Sequence, residues 1–290
     1  MKHIFFTLTI LLFFSCSQAG APGPQDENTS NFSFAYLTDI HLNNGNNNNC
    51  FEGFEKAVAN AKAENADFIM TGGDNVDIDG MDSEQPAHDL YEKYAGKIDA
   101  AGIPFYPTIG NHDRFWATGE DDPLYNEGLF EKYLHESYYS FDHKGWHFIV
   151  LNSAQICDGY YCVGDEQKQW LAADLAKVDA GTPIIVSAHV PFLSVYYPAL
   201  HGEYTPKDTF TNFKEIWDMF EDKNLKLVLQ GHMHLYEEIK VKDVQFITAG
   251  AVSANWWGGP YHGTEEGYLK IDIDGDDFSW KYVDYGWEIK

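Results

Sequence analysis

Basic side chains are scarce in this chain. Only 19 Lys and Arg stand against 45 Asp and Glu, a formal net charge of −26, and Arg114 is the single arginine. Holding a nucleic acid by its phosphates takes a stripe of positive charge that displaces condensed counterions. No such stripe exists here, so DNA- and RNA-binding classes are excluded. An acidic surface serves solubility, and its field opposes large polyanionic substrates unless metal ions reverse it locally. Long apolar runs are missing as well. The stretch near the start, Ile4 to Phe14, covers eleven residues, whereas a bilayer span needs about 20. Thiols are few: there are four cysteines, Cys50 has no evident partner, and no second Cys pair completes a closed zinc site.

The eleven apolar residues follow Lys2 and His3 and end at Ser15-Cys16, the pattern of an export signal. Cys16 resembles the lipid-acceptor cysteine of a bacterial lipoprotein. Residues 1–16 are therefore expected to be a lipoprotein signal, with plain secretion as the alternative. Membrane contact is expected only through a lipid anchor at Cys16, which places the protein in the periplasm or at the cell surface. Ser17 to Asn31 is rich in Gly, Pro, Ser, Asn and acid, has almost nothing to bury, and reads as a flexible tether. Residues 32–290 then make one large domain, near the size at which single cores stop growing. Cys157 and Cys162 sit five apart in Cys-Asp-Gly-Tyr-Tyr-Cys. An oxidising compartment lets them close a small disulfide; metal binding is the rival reading.

Strand-length apolar runs alternate with helical stretches. Strands are expected at Phe32 to Ile40, Asp67 to Gly72, Pro104 to Ile109, Pro183 to Ala188 and Leu225 to Leu229. Helices are expected at Phe51 to Asn65, Gln85 to Ala101, Asn126 to His135, Asp165 to Val178 and Thr211 to Asp222. Tyr138 to Asp142 and Trp146 to Asn152 flank a turn and read as a hairpin. The tail adds Val244 to Ala249 and a second hairpin, Gly267 to Ile273 with Phe278 to Asp284, turning at Asp274-Gly275. The class is mixed α/β: βα alternation builds parallel strands, hairpins add antiparallel ones, and two helix-covered sheets are the simplest assembly.

Polar residues gather where five of those strands end. The first ends in Asp39-Ile40-His41, the second in Gly72-Gly73-Asp74-Asn75 and the third in Gly110-Asn111-His112-Asp113. The fourth ends in His189 and the fifth in Gly231-His232-Met233-His234. Any one of these is ordinary, since a lone Asp-x-His or Gly-Asp-Asn is usually a chance pair or a turn. Five in succession at the strand edge where open α/β sheets bind ligands are not. In an extended segment residues i and i+2 point the same way, so Asp39 and His41 can reach one ion together. Mixed oxygen and nitrogen donors suit Mn, Fe or Zn. The glycines Gly73, Gly110 and Gly231 fit close backbone approaches.

The series D-x-H, G-D, G-N-H-D, H, G-H-x-H resembles the calcineurin-like metallophosphoesterases, nearest in feel to their cyclic-nucleotide-phosphodiesterase-like branch. The resemblance implies a four-layer α/β/β/α sandwich, two mixed sheets flanked by helices, with a binuclear centre. It implies that Asp39, His41 and His234 hold one divalent ion and Asn111, His189 and His232 a second, with Asp74 bridging them. It also implies hydrolysis of a small phosphate ester by a hydroxide shared between the ions. His112 is then the candidate general acid or charge stabiliser, which Asp113 could orient or merely cap. Arg114 fits either a phosphate contact or an ordinary ion pair. Asn255-Trp256-Trp257-Gly258-Gly259 could line the pocket or pack the core, and Asn43 to Asn49 reads as a solvated loop. With no Tyr directly after Asp74, and His at 41, the purple acid phosphatase branch fits less well. So few cations favour a monoanionic diester. A phosphomonoesterase and a non-catalytic metal-binding surface lipoprotein are the alternatives.

Overall fold

The computed structural model describes residues 31–45, 49–205 and 208–289. The expectations for the signal, the tether up to residue 30, Cys16 and Asn46 to Asn48 lie outside the described residues. In chain order the elements are β1 (Phe32–Leu37), α1 (Cys50–Ala63), β2 (Phe68–Gly72), α2 (Glu84–Ala101), β3 (Phe105–Thr108) and α3 (Gly128–Tyr133). Next come β4 (Tyr139–His143), β5 (Trp146–Leu151), β6 (Gln155–Cys157), β7 (Tyr160–Cys162), α4 (Asp165–Leu175), β8 (Pro183–Ala188), α5 (Tyr196–His201) and α6 (Phe213–Asp218). The chain ends with β9 (Asn224–Gln230), β10 (Glu237–Val241), β11 (Val244–Thr248), β12 (Gly267–Asp274) and β13 (Asp277–Asp284).

One sheet has the order β13-β12-β1-β2-β3 and the other β10-β11-β9-β8-β5-β4. Both are mixed. β1, β2 and β3 run parallel, as do β5, β8, β9 and β11, while hairpin strands pair antiparallel at the margins. Alternation along each strand sorts side chains into layers. In β1, Phe34 and Tyr36 enter the core between the sheets, where they meet Phe68, Phe148 and Leu227. Ala35 and Leu37 face the other way, onto Phe54 of α1 and Leu90 of α2. On the second sheet, Ile184 and Val186 pack outward against Leu171 of α4 and Ile216 of α6. Strands buried on both faces read as continuous apolar runs. The result is the expected α/β/β/α layering.

The departures are local. β1 stops at Leu37 rather than Ile40, because Asp39 and His41 take left-handed backbone with φ of 52° and 50°. The helices expected at 126–135 and 211–222 are shorter, Gly128–Tyr133 and Phe213–Asp218. α5, β10 and the small β6–β7 hairpin are additions. β10 is an edge strand whose exposed positions carry charge, an arrangement that blunts edge pairing. The β6–β7 turn is Asp158-Gly159, both left-handed, and the Cys157–Cys162 disulfide closes the hairpin. Asp274↔Asp277 ends the register of the last hairpin, so the acidic run there is a turn.

Candidate metal centre

The carboxyl ends of β1, β2 and β3 on one sheet and β8 and β9 on the other deliver their polar side chains to one place. Three groups of donor atoms converge, each within 4.8 Å: Asp39, His41 and His234; Asp74, His189 and His232; and His41, Asp74 and His112. Asp74 belongs to two of them. His189 Nε2 lies 3.1 Å from Asn111 Oδ1 and 3.2 Å from Asp74 Oδ2, which brings Asn111 into the second group.

The backbone reaches this arrangement by leaving extended geometry. Asp39, His41, Asp74, His232 and His234 all have positive φ, from 50° to 71°, a conformation costly for residues with a Cβ and found mostly at functional sites. Asp39 and His41 therefore do not share a face as extended residues would. They are aligned because their N–H groups continue the ladder beyond β1, donating to Gly73 O at 2.9 Å and Asp74 O at 2.8 Å. Two glycines permit the approach. A Cβ on Gly110 would lie 2.2 Å from Asp74 N, and one on Gly231 would lie 2.1 Å from Thr38 Oγ1. Asp39 is held by the Thr38 hydroxyl, which donates to Oδ2 at 2.6 Å, and by the His232 N–H at 3.0 Å.

The imidazole tautomers follow from their outer contacts. Nδ1–H donates to Asp77 Oδ1 from His41 at 2.6 Å, to Gly72 O from His189 at 2.8 Å and to Ala254 O from His234 at 2.5 Å. Each ring thus turns an Nε2 lone pair inward, the partnership typical of metal-ligating histidines. These lone pairs face other acceptors. His41 Nε2 is 2.9 Å from His234 Nε2, and His234 Nε2 is 3.4 Å from Asp39 Oδ1. Buried acceptors at such distances need cations between them, so the residues fit divalent metal. The titration shifts follow the balance of burial against neighbouring charge at each group. Burial pulls His189 down, but the Asp74 charge and hydrogen bond outweigh it and raise it to about 9. Burial, assisted by His41, lowers His234 to about 4. Burial would push Asp74 up, yet His189, His112 and His41 hold it well below the usual carboxylate range.

His112 stands at the rim, partly exposed. Its backbone N–H donates to Asp74 Oδ1 at 2.8 Å and its Nδ1–H to Asp79 Oδ1 at 2.9 Å. Burial opposes its protonation, but the Asp79 hydrogen bond and the Asp74 charge prevail and raise it to about 10. The partner of His112 is thus Asp79, not Asp113. Asp113 is turned inward, where it accepts N–H groups of Asn75, Val76 and Gly110 and the Asn75 amide, tying the β2 and β3 loops together. Arg114 is 3% exposed; its Nε donates to Asn126 Oδ1 at 2.5 Å, its Nη1 to Ala154 O, and it lies over the Trp116 ring. These hydrogen bonds join loops.

Sequence reasoning missed Asp77 and Asp79, whose signal was the alternation Asp77-x-Asp79 three residues after Asp74. It also left the tryptophan pair undecided between pocket lining and core packing; the core reading holds for Trp257. Trp257 is core, with Nε1–H donating to Ile40 O at 2.9 Å. Trp256 is 43% exposed and stacks on the His234 ring with centroids 4.1 Å apart.

Residues 32–236 match the family model for calcineurin-like phosphoesterases. A probable cyclic nucleotide phosphodiesterase of Psychrobacter sp. is 27% identical over 191 residues, covering 63% of this chain and 52% of that protein. Purple acid phosphatase 22 of Arabidopsis thaliana is 29% identical over 189 residues, covering 60% of this chain and 39% of that protein. The chain thus spans about half or less of the length of these curated relatives. Similarity runs to both branches. Directly after Asp74, Asn75 buries its amide against Thr108 O and Asp113. Among solved structures, a dimetal phosphatase from Danio rerio superposes with a TM-score of 0.66 at 14% identity, over 87% of this chain and 95% of that one. The converging donors, the four-layer fold that carries them and the match across 32–236 lead to one assignment: the chain belongs to the calcineurin-like phosphoesterase family.

Proposed function

We propose that this protein hydrolyses phosphate esters at the paired donor sets, with two divalent ions drawn from Mn, Fe or Zn and a preference for diesters. The observation that carries this reading is the inward-facing set of Nε2 lone pairs and carboxylates, with Asp74 common to two groups. Asp39, His41 and His234 would hold one ion and Asn111, His189 and His232 the other, with Asp74 between them. When bound, such ions activate water as a nucleophile and neutralise phosphoryl oxygens.

The chain's own residues supply the rest. Asp77, Gly72 and Ala254 fix the imidazole orientations, so the ligand atoms are arranged before substrate arrives. His112, charged through Asp79, has a second nitrogen with no partner among the described residues, placed to protonate the departing ester oxygen. Trp256 shields one face of His234 and presents its other surface as a wall for the leaving group. No lysine is among the residues described around the centre, which supports a monoanionic diester over a dianionic monoester. Export and a lipid anchor at Cys16 belong to the same proposal; the signal-like start supports them, as does a disulfide of the kind oxidising compartments sustain.

The test strips the purified protein of metal, reloads manganese, and compares bis-(p-nitrophenyl) phosphate with p-nitrophenyl phosphate at matched concentration. Faster diester cleavage is expected. Faster monoester cleavage would make it a scavenging phosphatase, and turnover of neither would revive the metal-binding lipoprotein.

A further inference from the structure

The β6–β7 hairpin lies beside the metal centre. Successive side chains of β7 alternate in direction. Tyr160 points to solvent at 49% exposure, while Tyr161 is half-buried and sets its ring edge-on to that of His232, centroids 5.5 Å apart. Its backbone is anchored on both sides. The Tyr161 carbonyl accepts the N–H and hydroxyl of Thr211 at 2.8 and 3.1 Å, and the Asn212 amide brackets Val163 at 2.9 and 2.8 Å. Between these anchors sits Cys162, bonded to Cys157 across the hairpin. Asp74, Asp79 and Arg114 are near enough to act electrostatically on the phenol, yet its hydroxyl has no hydrogen-bond partner among the described residues. Packing against an imidazole edge asks only for an aromatic ring, so among the described residues the hydroxyl has no structural task.

We propose, on the reading of the centre given above, that Tyr161 is a substrate-contacting residue whose hydroxyl donates a hydrogen bond to a non-bridging phosphoryl oxygen, and that the Cys157–Cys162 disulfide holds it there. A phenol is a neutral donor near neutral pH. It can stabilise charge on the phosphoryl oxygens beside a centre around which no lysine stands among the described residues. Donors fixed before the reaction act most strongly where charge develops, and a three-residue strand closed by a disulfide is a rigid mount for one.

The experiment uses the full-length, manganese-loaded protein and three variants: Tyr161→Phe, the pair Cys157→Ser with Cys162→Ser, and all three changes together. Bound manganese, thermal midpoint, kcat and KM on bis-(p-nitrophenyl) phosphate are measured for each. Tyr161→Phe is expected to keep its metal and midpoint while losing about tenfold to hundredfold in kcat/KM, mostly in kcat. The disulfide-free pair should lose a similar factor, and the triple variant no more than Tyr161→Phe alone, since both changes remove one interaction. Activity of Tyr161→Phe within about twofold of wild type overturns the inference, a criterion that survives even if the cysteine variant misfolds. An additive loss in the triple variant overturns the role of the disulfide. A wild type that binds manganese but cleaves nothing overturns the reading of the centre itself, before Tyr161 is considered.

Discussion

Asp74 is shared between donor groups, buried, and faced by His41 at 3.6 Å and His189 at 3.2 Å. Removing its carboxylate by Asp74→Ala should cost most bound manganese and at least about a thousandfold in kcat/KM, while circular dichroism stays native. Metal analysis and kinetics on the same sample check this, and surviving activity would sink the shared role. Asp79 acts differently, through His112. In Asp79→Asn the charge that holds His112 protonated is lost, so its pKa falls toward the ordinary value. If His112 works as an acid, activity declines as pH rises through that pKa. The alkaline limb of kcat/KM should therefore move to lower pH in the variant, with metal content unchanged. An alkaline limb that stays in place would remove His112 from the acid role.

At the scale of elements, the centre depends on how loops are tied after the strands end. The β1 loop follows the β2 loop through Asp39 N–H to Gly73 O and His41 N–H to Asp74 O, and Asp113 clamps the β2 and β3 loops. Arg114 continues this chain of ties to Asn126 and to Ala154 beyond β5. Arg114→Ala should destabilise the fold by about 2–4 kcal/mol, because it strands buried acceptors that a charged donor satisfied. Arg114→Lys should recover only part of that, since one ammonium cannot reproduce the geometry of a guanidinium fork. Urea midpoints measure both, and a Lys variant equal to wild type would show that charge alone matters there. Much of the element order was legible: β8 runs over the expected Pro183 to Ala188, and α2 begins one residue early. α5 was not, because its six residues bury no side chain fully and leave no periodic signal. β6 and β7 were equally short, although Asp158-Gly159 carried a turn signal.

On the scale of the molecule, net charge dominates. With −26 on the chain, the anionic ester of the proposed reaction would approach against a repulsive field that bound metal ions would reverse locally. Added salt screens that field beyond about 10 Å at 0.1 M and leaves the close contacts at the centre less affected. KM for bis-(p-nitrophenyl) phosphate should therefore fall as inert salt rises at fixed manganese, with kcat nearly constant. A KM that rises with salt would mean the local positive field, not the acidic surface, governs encounter.

The sequence by itself determined which residues could be ligands. Asp39, His41, Asp74, Asn111, His189, His232 and His234 stand at the ends of strands whose apolar runs mark them locally, so their common edge follows from βα topology. It also made two helix-covered sheets the simplest assembly, and the family resemblance implied the four layers. Tertiary structure alone decided the groups that act through space. Asp77 on His41, Asp79 on His112 and Trp256 on His234 are pairings set by where loops fold back. Tyr161 beside His232 joins residues 71 positions apart. The backbone at the ligands was likewise decided there, since left-handed residues at Asp39 and His41 are stable only where the neighbouring loop supplies their hydrogen-bond partners.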